Sequence, residues 1–473
     1  MDDITSLSAT ELSAAIHAGS TTCRAVMVAY LARIEALNPK INAIVSLRDA
    51  GELVAEAEAA DRALTAGGSR GWLHGIPFAV KDLSEAEGIR CTYGSQIYQD
   101  HVPDFDDIHV ERIRAAGAII IGKTNAPEMG LGSHTYNAVF GATCNPYDLT
   151  RSAGGSSGGA AAALAARLLP VADGSDMMGS LRNPAAFNNV VGFRPSFGRV
   201  PSLGTEFYLG QHAVNGPMGR SVADVAALLG TQAGHDARDP LSLPTEDVLP
   251  GKVADFSGAR IGWLGDFGGH LPFEPGVLDL CREAVSVLAT LGAEVADVRA
   301  GFDMDRLWQG WRIYRHFLVA GAQGADYADP PKRAKMKPEM IWEIENGLGL
   351  AATDVLAASA IRSDWYRYVL ELFRAYDFLV LPAAQVFPFD VTLDWPKEIA
   401  GRAMDTYHRW MEVVIGPTMA GLPVAAMPAG FGAAGLPAGI QIIGKPRADR
   451  AVLQLAAAYE AQVDWLEQRP VIG

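Results

Sequence analysis

The chain has 473 residues, 49% of them hydrophobic and 20% charged, a balance that supports a substantial buried core and argues against long disorder. Its formal net charge is −15 with no basic run, which argues against nucleic acid and anionic membrane surfaces as partners. Cys23, Cys91, Cys144 and Cys281 lack C-x-x-C spacing, so neither a disulfide framework nor a metal site is expected. The acidic N-terminal stretch has no apolar signal core and no apolar run is long enough to span a bilayer, so a cytoplasmic protein is expected.

In chain order, Ser8 and Glu11 form a capping box whose helix should end near Gly19. Thr22 caps a second helix, expected to stop at Pro39. A short strand over 41–47 and an Ala/Glu-rich helix over 49–66 follow, and none of these elements carries chemistry. Residues 75–81 read as an apolar strand ending in Lys81, with Pro77 pointing to an edge or strand-start position. A lysine there has an ordinary reading, a side chain snorkelling to the rim. It also has a functional one: burial lowers its pKa from ~10.4 towards ~7–8 and makes a neutral base available.

A helix over 107–116 and a strand over 118–121 come next. Residues 117–124 formally satisfy the P-loop pattern G-x-x-x-x-G-K-[ST]. A P-loop must present backbone N–H groups from a loop, whereas Ala118-Ile119-Ile120-Ile121 is apolar and strand-forming, so a nucleotide site at Lys123 is rejected. A capped turn at 125–130 and a polar loop over 132–150 lead into the Gly/Ser cluster at 154–159.

That cluster, Gly154-Gly155-Ser156-Ser157-Gly158-Gly159, precedes an Ala/Leu-rich helix over 160–169 stopped by Pro170. A short strand at 171–172 leads to a second small-residue turn over 174–180. The helix leaves a point and the strand returns to it, so Ser156 and Ser180 can face one site. Small residues on both sides let backbone N–H groups approach a developing oxyanion. Pro184 marks a helix start behind Ser180. Asp176 and Arg182 flank the turn with opposite charges, which by themselves read as solvated surface.

Further on, residues 259–264, 274–291 and 292–298 form a β-α-β unit with a parallel strand pair. The segment 302–350 holds Trp308, Trp311, Tyr314, Phe317, Tyr327 and Trp342, most of them expected to pack on helix faces and a minority to line a pocket. A helix over 354–376, a strand over 377–382, a loop over 390–399, a helix over 403–415, strands at 421–428 and 435–442 and a helix over 449–463 complete the chain. No repeat or linker divides it, so one domain over 1–473 is expected.

The stretch GGSSGG at 154–159, with DMMGSLRNPAAFNNVVGFRPS at 176–196 and GIPFAVKD at 75–82, resembles the signature of the amidase signature family of serine hydrolases. The resemblance is strongest over 73–221 and 419–460 and weakest over 301–401, the variable segment expected to face substrate. It implies an α/β fold with a mixed twisted sheet covered by helices on both faces. It implies a Ser–cis-Ser–Lys triad with Lys81 as base, Ser156 as the cis-serine and Ser180 as nucleophile. Backbone N–H groups of Met177, Met178, Gly179 and Ser180 would form the oxyanion hole, with Ser157, Asp176 and Arg182 in support. No metal or cofactor is needed. The family turn is Asp-x-Gly-Gly-Ser, so Met178 stands where a glycine is usual, either walling the pocket or filling the core.

Residues 154–158 also match the nucleophile elbow G-x-S-x-G of Ser-His-Asp hydrolases, with Ser156 as nucleophile, but the preceding stretch reads as loop and no histidine is marked as its base. A glutaminase-type subunit of a tRNA-dependent amidotransferase belongs to the same family. A non-catalytic binding protein is opposed by the intact Lys81, Ser156 and Ser180. The expected activity is hydrolysis of carboxylic amides, aryl or apolar ones first and esters and carbamates (urethanes) beside them, with a small-molecule substrate and water as the partners. A homo-oligomer is left open.

Overall fold

The eight strands of the main sheet run in the spatial order Glu294–Asp297, Arg260–Trp263, Phe378–Pro382, Pro437–Ile443, Val424–Phe431, Val191–Arg194, Val214–Gly219 and Val171–Asp176. The computed structural model describes residues 3–204, 206–251, 254–299 and 301–472. The first three strands pair in parallel, as the β-α-β reading requires, with Glu294 opposite Arg260 and Phe378 opposite Ile261. Every other pair in this sheet is antiparallel. The mixed α/β architecture expected from the sequence is the one observed.

Lys81 does not belong to this sheet. Its strand, Pro77–Lys81, is an edge of a separate three-stranded sheet, parallel to Ile119–Thr124, which in turn pairs antiparallel with Ile44–Val45. Pro77 takes the first position of an edge strand, where a missing N–H costs no ladder bond. Val171–Asp176 is the last strand of the large sheet and packs against Pro77–Lys81. The Gly/Ser clusters therefore lie where the two sheets meet. Two apolar cores flank this junction: Met178 joins the larger, Leu181 and Ala172 the smaller.

Local departures from the sequence reading have physical causes. The helix Cys23–Ile41 runs through Pro39, because Ile41 is fully buried and Asn42 closes the helix in a left-handed conformation (φ 56°) with its N–H on the Asn38 carbonyl. The helix Gly158–Ala165 ends before Pro170, where Arg167 adopts φ 59° and the Leu168 N–H returns to the Ala163 carbonyl. The strand expected at 171–172 extends to Asp176. Residues 403–415 are not one helix: a 3-10 segment, Arg409–Val414, is interrupted at Met411 (φ −119°) and followed by the helix Ile415–Met419. All but the first two of the P-loop-like residues lie in the strand Ile119–Thr124, where Lys123 is fully buried with its ammonium on the Ser84 carbonyl.

Candidate active site

The extended strand explains the site's first feature. Successive strand side chains alternate between faces, so Asp173 and Ser175 share one. Both meet Lys81: Asp173 Oδ1 accepts the Lys81 backbone N–H at 3.0 Å, and Lys81 Nζ donates to Ser175 Oγ at 3.0 Å. Lys81 Nζ also donates to Ser156 Oγ at 2.8 Å and to Ser157 Oγ at 2.9 Å. The lysine is completely buried, and that burial pulls its pKa down to about 7 against the opposing attraction of the Asp173 and Asp176 carboxylates.

The two serine clusters are tied together. The Gly155–Ser156 peptide is cis, and the Ser157 N–H donates to the Ser180 carbonyl at 3.2 Å. Ser180 is 7% exposed and borders a cavity of about 20 Å³. Its Oγ makes no hydrogen bond among the described residues. The turn before it needs a glycine at one position: Gly179 has φ 80°, and a Cβ there would lie 2.2 Å from Asn183 Oδ1. Met178 needs no such freedom, since its φ is not positive.

Asp176 and Arg182 are not solvated surface. Both are fully buried, with Arg182 Nη2 2.8 Å from Asp176 Oδ1 and Arg194 Nη1 3.0 Å from the same oxygen. Burial alone would raise the Asp176 carboxyl pKa; the two guanidinium groups outweigh it and hold the carboxyl well below its usual range. Asp176 also accepts the Gly179 N–H at 3.0 Å and the Leu181 N–H at 3.1 Å, gripping the turn on both sides of Ser180. The Gly179 N–H is thus already engaged, which removes it from the expected oxyanion donors and leaves Met177, Met178 and Ser180.

Met177, Met178, Met411, Arg315, Tyr407 and His408 line the small cavity. Met178 also belongs to the larger core and is 6% exposed, so its two expected roles coincide in one side chain. Met177 and Arg315 line a second, wider cavity of about 540 Å³ as well, together with Met129, Leu131, Phe317 and Leu318. Of the six aromatic residues singled out in 302–350, Phe317 lines this space, while Trp308, Trp311 and Tyr314 are core.

The nucleophile-elbow reading needs one correction: a short strand, Asp148–Ser152, does precede the Gly/Ser cluster. No histidine among the described residues bonds Ser156 or Ser180, however, and Ser156 Oγ is bonded to Lys81. Sequence reasoning missed Asp173 and Ser175, which a longer strand assignment and its two-residue alternation would have found. It also missed Arg194, Arg315 and Tyr407, for which spacing gives no signal.

The Amidase family matches residues 25–453. The chain is 35% identical over 472 residues to an acylamidase from Rhodococcus erythropolis, covering 98% of this chain and 97% of that protein. It is 33% identical over 498 residues to a glutamyl-tRNA(Gln) amidotransferase subunit from Chloroflexus aurantiacus, covering 99% of each. The crystal structure of a bacterial aryl acylamidase of the amidase signature enzymes superposes with a TM-score of 0.91 at 29% identity, covering 98% of this chain and 97% of that one.

Proposed function

This chain belongs to the amidase signature family and is an amide-hydrolysing enzyme, and from that premise we propose that it cleaves apolar and aryl amides through an acyl-enzyme on Ser180. The observation that carries the reading is the buried Lys81 ammonium bonded to Ser156 Oγ, with the neighbouring Ser157 N–H bonded to the Ser180 carbonyl. Neutral Lys81 takes a proton from Ser156 as Ser156 takes one from Ser180, whose side chain rotates about Cα–Cβ to close the relay. The Ser180 oxygen attacks the carbonyl carbon, and N–H groups of Met177, Met178 and Ser180 stabilise the oxyanion. The proton returns through Ser156 to the leaving nitrogen as the C–N bond breaks. Water, deprotonated along the same route, releases the acid. Esters and carbamates present the same carbonyl and enter the same scheme.

The likeness to the amidotransferase subunit supports a second reading, a glutaminase working within a larger assembly. Met177, Met178 and Met411 in the cavity wall favour the first, because they offer no partner to the charged α-amino group of glutamine. Hydrolysis assays across anilides, aliphatic amides, esters, carbamates and glutamine test the choice. The wild type should turn over apolar anilides and Ser180→Ala should not. Preferential turnover of glutamine would contradict the reading. The four free cysteines suit a reducing compartment, and we assign the enzyme to the cytoplasm on that ground.

A further inference from the structure

Within the variable segment, Arg315 and His316 of the helix Met304–Ala328 meet Glu343 of the helix Pro338–Leu348 and the loop residues Tyr407 and His408. Glu343 is fully buried. It accepts from Tyr407 Oη at 2.6 Å, His316 Nδ1 at 2.5 Å and Arg315 Nε at 3.3 Å, with His408 Nε2 3.5 Å away. Burial opposes a charged Glu343, but the His316 bond, the nearby His408 ring and the Arg315 charge hold its carboxyl well below the usual range. Burial also lowers the His408 pKa, against the opposing pull of Glu343. Arg315 and Glu343 form a buried ion pair, Nε to Oε1 at 3.3 Å.

The other end of Arg315 faces the cavities and is poorly satisfied. The residue is 7% exposed. Nη2 donates to Tyr407 Oη at 3.2 Å, and Nη1 donates to Met177 Sδ at 2.9 Å. A thioether is a weak acceptor, and of the five N–H groups of a guanidinium two have no partner among the described residues. A buried donor in this state gains on meeting an oxygen. Met177 is a flexible side chain that yields its place readily. The oxygen is a neutral one: Glu343 already balances the arginine, so a substrate carboxylate would add an uncompensated buried charge, whereas a carbonyl would not.

Resting on the amidase reading above, we propose that Arg315 binds a neutral acyl oxygen remote from the scissile bond, so that the enzyme selects amides carrying a second carbonyl group (a further amide, an ester or a carbamate) over monofunctional ones.

The test compares three anilides matched in size, bearing on the ring an acetamido group, an alkyl isostere or a carboxylate. In the wild type the acetamido compound should exceed the alkyl one about tenfold in kcat/KM, and the carboxylate should gain nothing. Arg315→Met should bring the acetamido-to-alkyl ratio close to one. A ratio kept in Arg315→Met, or both rates falling together, overturns the proposal. So does a wild type that prefers the carboxylate. Should Arg315→Met not fold, as judged by circular dichroism, the wild-type series decides alone, and equal rates on the acetamido and alkyl compounds refute the assignment. Turnover surviving in Ser180→Ala would instead strike at the amidase site, independently of the ratio.

Discussion

Lys81 Nζ lies 2.8 Å from Ser156 Oγ, and its other two hydrogen bonds also go to serine hydroxyls, those of Ser157 and Ser175, with no carboxylate among the described residues in direct contact. A lysine so placed loses its hydration without gaining an ion pair, which is why its pKa falls to about 7. Since the base is the neutral form, kcat/KM for an amide should rise with pH through about 7 and level off above it. Lys81→Met should lose at least a hundredfold in amide turnover. An amide profile flat from pH 5 to 9 would contradict this role.

The same shift has a stability consequence. Between about 7 and lysine's ordinary ~10.4, the unfolded chain holds a proton that the folded chain lacks, so stability climbs with pH across that window. Lys81→Met has no such titration. Melting curves recorded from pH 7 to 10 should show the wild type gaining on the variant as pH rises. A difference independent of pH would mean that Lys81 is not depressed in the folded state.

Asp176 holds two buried guanidinium groups and two N–H groups of the Ser180 turn. Asp176→Asn leaves Arg182 and Arg194 underpaired, at a cost of roughly 3–5 kcal/mol by urea unfolding, and loosens the turn, lowering kcat. Its depressed carboxyl pKa keeps the brace charged as pH falls through the ordinary carboxylate range, so the brace is lost only at more strongly acid pH. An Asn variant within about 1 kcal/mol of wild type would show that the brace contributes little.

Met178 touches both the cavity and the larger core. Met178→Gly should therefore lower the melting temperature, by roughly 2–5 kcal/mol of stability, and also shift kcat/KM from bulky aryl towards small aliphatic amides by about tenfold. A lowered melting temperature with unchanged substrate ranking would confine Met178 to the core.

Much of this site was readable because its parts are local in sequence. Two Gly/Ser clusters flank one helix and one strand, and the apolar strand ending in Lys81 supplies the third element. The apolar, strand-forming interior of the P-loop pattern before Lys123 argues against a phosphate loop, and the observed strand agrees. What escaped depends on tertiary placement. Asp173 and Ser175 were hidden by a strand read four residues too short. Lys81's separate sheet follows from the pairing of distant strands, which periodicity does not report. Tyr407 and His408 lie in irregular chain that reads as helix from its apolar spacing. The Arg315–Glu343 pair joins two helices across a turn of chain that no motif marks.

The most direct test of the account is the position of the acyl group. A fluorophosphonate or sulfonyl fluoride probe should modify the enzyme once, and peptide mapping by mass spectrometry should find the adduct on Ser180. Ser180→Ala should take up no label and should not hydrolyse amides, whereas Ser156→Ala should label more slowly at the same Ser180 position. An adduct on Ser156, in an enzyme still active as Ser180→Ala, would contradict the assignment of Ser180 as nucleophile.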